Sequence, residues 1–255
     1  MGVLNVTPDS FSDGGRWLDP AAAVTHGLAM LADGADVVDI GGESTRPGAP
    51  PVPVEEELRR VVPVVEALAP HVRVSIDTRK AAVAEAALAA GATLVNDVSA
   101  SLPGVAAAAG AGWVAMHMQG EPGTMQRAPS YGDVVGEVGE FLLARATAAR
   151  DAGVDEVWID PGIGFGKTMA HNLALLRHLG KLVATGWPVL VGTSRKSFLG
   201  RLTPTVDGYP APVEDRLEAS VATATWALDQ GAAMVRVHDV RETVAAARLL
   251  AAVTS

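Results

Sequence analysis

Val157-Trp158-Ile159-Asp160 is a short apolar run that stops on a carboxylate, and seven other segments repeat its design. They read Val3-Leu4-Asn5, Val37-Val38-Asp39-Ile40, Val74-Ser75-Ile76-Asp77, Leu94-Val95-Asn96-Asp97, Val114-Ala115-Met116-His117, Val189-Leu190-Val191-Gly192-Thr193-Ser194 and Val235-Arg236-Val237-His238-Asp239. Between them lie Ala-rich segments with apolar residues three and four apart, such as Leu217, Val221, Ala224 and Leu228, or Val138 and Leu142. That spacing is helical. Gly34, Gly91, Gly153 and Gly231 follow such segments, where a helix end wants a left-handed residue. Strand and helix therefore alternate eight times, which predicts an α/β protein of the TIM (β/α)8 barrel type, with residues 1–255 as a single domain. A doubly wound open sheet is the competing arrangement. Polar strand ends throughout favour closure, and in a closed parallel barrel the active site lies at the C-terminal ends of the strands.

The bulk properties narrow the function. With 20 basic and 29 acidic residues the net charge is −9. The basic residues are scattered, so neither composition nor pattern suggests a nucleic-acid partner. Cysteine is absent, which removes disulfides, thiolate metal sites and a cysteine nucleophile. No apolar run approaches the ~18 residues of a membrane span, and no secretory leader pattern opens the chain. These readings predict a cytoplasmic protein without membrane contact. Met1 opens the first run directly, and the lack of a lead-in raises the expectation of a shortened start. Three connections are long for their type: Thr7 to Leu18, Gly42 to about Glu55, and Ser197 to about Val213. All follow strand ends, so they are expected to act as mobile lids over the site.

Asp77, Asn96 and Asp160 end three different strands. A buried polar group left unpaired costs about 1–3 kcal/mol, so these three call for a partner, and a flat ring rich in N–H groups and acceptors would supply one. A helix cap or a neighbouring cation is the structural alternative for each. Arg236 and His238 leave one strand on the same side. Arg46 lies in Ser44-Thr45-Arg46-Pro47-Gly48, and Arg195 and Lys196 follow strand seven. Together with Asn5 and Thr45, these cations could hold a diphosphate and a Mg²⁺ ion, which needs few protein ligands. Asp160-Pro161-Gly162-Ile163-Gly164-Phe165-Gly166-Lys167-Thr168 imitates a phosphate-binding P-loop, but Pro161 occupies the first glycine position. Its glycines are better read as allowing close approach to a flat ligand, with Phe165 offering a ring face. His26, His71, His171 and His178 are expected at the surface, and His117 either ends its strand as a satisfied rim residue or takes part in catalysis.

Met1-Gly2-Val3-Leu4-Asn5-Val6-Thr7-Pro8-Asp9-Ser10-Phe11-Ser12-Asp13-Gly14-Gly15 resembles the opening signature of the dihydropteroate synthase family of pterin-binding enzymes. Further blocks resemble that family in order, including Gly41-Gly42-Glu43-Ser44-Thr45-Arg46-Pro47-Gly48, the Asp160–Thr168 segment, and Gly192-Thr193-Ser194-Arg195-Lys196-Ser197-Phe198-Leu199-Gly200. The resemblance implies condensation of 7,8-dihydropterin-6-ylmethyl diphosphate with p-aminobenzoate, giving 7,8-dihydropteroate and pyrophosphate in folate synthesis. It implies that Asp77, Asn96, Met116, Asp160, Gly164 and Lys196 hold the pterin. Asn5, Thr45, Arg46, Arg236 and His238 would hold the diphosphate, Asn5 also meeting Mg²⁺. Phe11, Asp13, Pro47, Phe165, Lys196 and Ser197 would frame p-aminobenzoate. Asp77, Lys196, Arg236 and His238 would carry the chemistry, sulfonamides would inhibit, and the protein would be a homodimer. Three other readings compete: a methyltetrahydrofolate–corrinoid methyltransferase, a noncatalytic pterin-binding paralogue, and a P-loop nucleotidase.

Overall fold

A computed structural model describes residues 1–7, 20–44 and 50–254 of the chain. The eight apolar runs become strands β1 (Gly2–Asn5), β2 (Val37–Gly41), β3 (Arg73–Asp77), β4 (Leu94–Asp97), β5 (Gly112–Met116), β6 (Val157–Asp160), β7 (Leu190–Val191) and β8 (Met234–Val235). The first six pair in parallel in chain order, and β7 pairs with β8. Two parallel bridges, Ile159 to Val189 and Gly2 to Val237, join the two sheets at both seams. At the second seam Val3 N–H donates to Val237 O at 2.9 Å and Val237 N–H donates to Met1 O at 3.0 Å. The strands thus form the expected closed (β/α)8 barrel.

Strand alternation divides the side chains. Val38, Ile40, Val74, Ile76, Val95, Trp113, Ile159 and Val191 face outward into one large apolar cluster with the helices. Inside the barrel, at the N-terminal end, Met1, Val37, Leu94, Val114 and Leu190 pack with Trp158 and Met234 in a second, smaller cluster. Below it Arg73 forks onto Glu156 at 3.0 and 2.5 Å, and Trp158 Nε1–H donates to the same carboxylate at 2.7 Å. The interior thus changes from apolar to polar along the barrel axis. Next along the inward faces come Asp39 and Ser75, then Asn5, Asp77 and Asn96.

The covering helices are α1 (Pro20–Ala32), α2 (Val54–Leu68), α3 (Ala81–Ala89), α4 (Pro103–Ala109), α5 (Val134–Asp151), α6 (Met169–Arg177), α7 (Leu179–Val183), α8 (Ser197–Leu202), α9 (Leu217–Asp229) and α10 (Val240–Thr254). Asp133 caps α5, and Thr168 with His171 forms a reciprocal capping box at α6. His171, expected at the surface, takes on a capping role there. Gly34, Gly91, Gly153 and Gly231 have φ of 101°, 111°, 94° and 92°, as their positions after helices require. On α9 the buried stripe runs through Ser220, Ala224 and Ala227, shifted from the larger residues Leu217, Val221 and Leu228.

Of the three expected lids, residues 8–19 and 45–49 lie outside the described residues. The third is corrected by the structure. Its first six residues form α8, because Phe198 and Leu199 bury against the barrel. The rest is held by Ala211 N–H to Gly200 O at 2.8 Å and Arg216 Nε–H to Ala211 O at 2.9 Å. A further long connection, from His117 to Asp133, also overhangs the rim and was not anticipated.

Candidate active site

The strand register builds the site row by row. Asn5, Gly41, Asp77 and Asn96 are successive partners across β1 to β4, and Met116 is the partner of Asp160 across β5 and β6. Gly41 is the gap in this row: a Cβ there would stand 3.7 Å from both Asn5 Oδ1 and Asp77 Oδ2. From β8 the Arg236 guanidinium crosses to the opposite wall. Its Nη2 donates to Asp77 Oδ2 at 2.7 Å and its Nε to Asp39 Oδ2 at 2.6 Å. Asn96 Nδ2–H donates to that same Asp39 oxygen at 2.9 Å.

Asp39 is fully buried and was not among the expected site residues. A signal for it existed, since a carboxylate inside an apolar strand needs a cation, and Arg236 is placed to face inward. Asn96 Oδ1, Asp39 Oδ1 and Ser75 Oγ are buried with no hydrogen-bond partner among the described residues. Such acceptors are costly unless something pairs with them. Asn96 Oδ1 is thus a buried acceptor whose bond is still to be supplied.

Two carboxylates share one guanidinium, and this sets the electrostatics. Burial pushes the Asp77 carboxyl up to about 7; Arg236 opposes the shift, while Asp39, Glu57 and Asp97 reinforce it. Burial also works against the charge on Arg236, but Asp39 and Asp77 overcome it and hold the guanidinium above its ordinary value. Asp160 is raised by burial, against the pull of Lys196 and of Gly162 N–H, which donates to its Oδ1 at 2.7 Å.

Lys196 reaches the same space. Its ammonium donates to Ile163 O and stands 4.6 Å from the centre of the Phe165 ring. Its stem passes so close to Gly164 that a Cβ there would lie 3.0 Å from Lys196 Cδ. Burial pulls this ammonium down to about 8, with Asp160 and Asp77 opposing. His238 pairs with Ser194: its backbone N–H donates to Ser194 Oγ at 3.1 Å, and that hydroxyl meets His238 Nδ1 at 3.0 Å. Ser197 is the exposed first residue of α8.

Some expectations need correction. Arg195 turns away from the site onto Asp239, with contacts of 3.1 and 2.5 Å. Lys167, by contrast, agrees with the rejection of a P-loop: it is buried, and its Nζ lies 2.9 Å from His117 Nδ1. Burial pulls that lysine down to about 7, and burial together with Lys167 holds His117 down to about 3, a neutral acceptor at the rim. Phe11, Asp13, Thr45, Arg46 and Pro47 lie outside the described residues. Among the described residues that flank 45–49, Glu43 Oε2 accepts from Val52 N–H at 2.8 Å and from Lys80 Nζ at 2.6 Å. Lys80 also donates to Val52 O at 2.7 Å and pairs with buried Glu57.

Among the described residues no group of three His, Cys, Asp or Glu side chains could hold a metal ion. A cavity of about 380 Å³ at the opposite end of the barrel is lined by Met1, Val37, Met234 and Val244 together with Asp36 and Arg73.

The family described as pterin binding enzymes matches this chain over residues 1–238. The chain is 52% identical to the dihydropteroate synthase of Mycobacterium leprae (strain TN), across 99% of this chain and 92% of that protein. It is also similar to two solved structures. One is the Yersinia pestis dihydropteroate synthase with a sulfonamide drug complex, with TM-score 0.92 and 46% identity over 99% of this chain and 93% of that one. The other is the Xanthomonas albilineans dihydropteroate synthase with 4-aminobenzoic acid, with TM-score 0.91 and 48% identity over 100% and 92%.

The raised Asp77 carboxyl has a measurable consequence. An acid whose folded value lies above its ordinary one, 3.8 here, costs stability as pH rises from that value to about 7. Asp77→Asn removes that titration, so its Tm relative to the unsubstituted protein should move in the variant's favour from pH 4 to pH 7 and then level off, on top of a constant loss from the weakened bond to Arg236. Calorimetry across that range checks it, and a Tm difference that does not vary with pH would contradict it.

Proposed function

The chain belongs to the dihydropteroate synthase family of pterin-binding enzymes, and from that premise we propose that its barrel rim joins 7,8-dihydropterin-6-ylmethyl diphosphate to p-aminobenzoate, yielding 7,8-dihydropteroate and pyrophosphate. The observation that carries this reading is the division of the rim into a buried acid–amide wall and a cationic wall that meet at Arg236. Asn96 Oδ1, Asp160 and Asp77 suit the donor-rich edge of a pterin. Met116 and Gly164 give it a flat, uncluttered seat, and Lys196 covers it. Arg236 and His238, with Asn5, Thr45 and Arg46, take the diphosphate. Phe165, Lys196, Ser197, Pro47, Phe11 and Asp13 take p-aminobenzoate, whose sulfonamide mimics are then expected to compete.

The chemistry needs charge control rather than a protein nucleophile. The C–O bond to diphosphate breaks with its electron pair leaving on oxygen, and the methylene cation is shared with the electron-rich dihydropterin. Ionised Asp77 and Asp160 favour that cation, while Arg236 and His238 stabilise the departing anion. The amine nitrogen of p-aminobenzoate then forms the C–N bond and loses a proton. A dry site limits capture of the cation by water.

Mg²⁺ would be held by Asn5, whose hard oxygen lies beside the gap at Gly41; such an ion needs few protein ligands. When bound, Mg²⁺ offsets leaving-group charge. We further propose a homodimer, supported by exposed Trp226 on α9 and by Leu249 and Val253 on α10. No helix among the described residues is long and apolar enough to cross a membrane. A cytoplasmic location is part of the same proposal.

A methyltransferase to corrinoid would have no use for a diphosphate site, and Arg236 with Lys196 disfavours it. A noncatalytic paralogue is separated by turnover itself. Dihydropteroate formation should depend on Mg²⁺, and Lys196→Ala and Arg236→Ala should each lower kcat/KM by at least about a hundredfold while remaining folded. Unchanged rates in both variants would refute the site assignment. The reaction needs Asp77 ionised and Lys196 protonated, so kcat/KM should rise through about pH 7 and fall through about pH 8. A profile flat from pH 6 to pH 9 would contradict those roles. Light scattering after gel filtration should give twice the 26.2 kDa chain mass; the mass of a single chain would remove the dimer.

A further inference from the structure

The loop from Pro161 to Thr168 is held in an unusual way. Its four successive carbonyls from Ile163 to Gly166 are each taken by a side chain. Lys196 Nζ donates to Ile163 O, Gln126 Nε2 to Gly164 O at 2.6 Å, Lys167 Nζ to Phe165 O at 3.0 Å, and the Tyr131 hydroxyl to Gly166 O at 2.9 Å. Two of these donors come from the connection between β5 and α5. Lys167 is the one donor that the loop supplies to itself.

Lys167 is only 3% exposed. Its ammonium has three N–H groups and three acceptors: Phe165 O, His117 O at 3.2 Å and His117 Nδ1 at 2.9 Å. Gly162, at φ 64°, lets the β5 rim come in so close that a Cβ there would stand 1.8 Å from His117 O. No carboxylate forms an ion pair with Lys167 among the described residues, and Asp160 acts on it only through space. A methionine of the same volume would avoid the desolvation cost of a charge but would strand those three acceptors, so the work of this ammonium is to tie the loop at Phe165 to the β5 rim at His117.

We propose that Lys167 is a positioning residue for the p-aminobenzoate wall: the glycine-rich loop wraps its own ammonium, and the bond to Phe165 O fixes the Phe165 ring against Lys196 before ligand arrives. The inference rests on the reading that places Phe165 beside p-aminobenzoate. Lys167 acts through Phe165 and touches no reacting atom.

Steady-state kinetics in both substrates test it. Lys167→Met should raise KM for p-aminobenzoate about tenfold and change kcat less than about threefold. Phe165→Ala should raise the same KM. Because the lysine acts through that ring, the double variant should be no worse than Phe165→Ala alone. An unchanged KM in Lys167→Met beside a raised one in Phe165→Ala overturns the inference and spares the wider reading, as does a double variant whose effects multiply. An unchanged KM in Phe165→Ala overturns both. If Lys167→Met folds poorly, His117→Leu takes its place. It removes one acceptor and should raise KM about threefold, whereas His117→Asn, which keeps an oxygen near the position of Nδ1, should not. Wild-type KM in His117→Leu also overturns the proposal.

Discussion

One guanidinium held between two buried carboxylates organises the upper half of this barrel. Arg236 comes from the last strand, and Asp39 and Asp77 from the second and third, so their meeting depends on closure of the sheet. Breaking such a triad by removing one partner would leave an uncompensated charge in a poorly solvated place, which is far more damaging than never having built it. The excess of acid over base has a chemical use. It leaves Asp77 near the point of ionisation and makes the cavity receptive to positive charge, while the outward edge of the same guanidinium remains suited to an anion. A reaction that separates a cation from a diphosphate needs both properties within one side chain's reach.

Much of this was legible in the residue string, because a barrel strand records its direction by ending on a polar group. Asp77, Asn96, Asp160 and Arg236 each end or follow an apolar run, and the structure gathers them as that reading requires. The pairing of Asp39 with Arg236 spans 197 positions, and no local pattern announces it. Asp39 lies within an apolar run instead of closing it, so a rule that looks to strand ends passes over it.

Other features escaped for reasons of length and context. Ser197 to Leu202 forms barely more than one helical turn, too short to show a period, and its helicity is imposed by burying Phe198 and Leu199. The connection from His117 to Asp133 holds turn residues that suggest a passive excursion, yet Gln126 and Tyr131 act as retainers of the neighbouring loop. Lys167 sits in a sequence that imitates a nucleotide-binding loop. Pro161 already argues against that reading, but the inward course of the lysine side chain is not written in spacing.

The change in polarity along the barrel axis also bears on how such a protein tolerates sequence drift. The lower half is an apolar plug of Met1, Val37, Leu94, Val114 and Leu190 above the Arg73–Glu156 fork, and apolar residues of matched volume can be exchanged there at modest cost. The upper half stores charge that disfavours folding, a debt underwritten by the plug beneath. Substitutions that tighten the lower half should therefore widen the range of changes the upper half can survive, so that adaptation of the rim to an unfamiliar inhibitor would begin at the far end of the molecule.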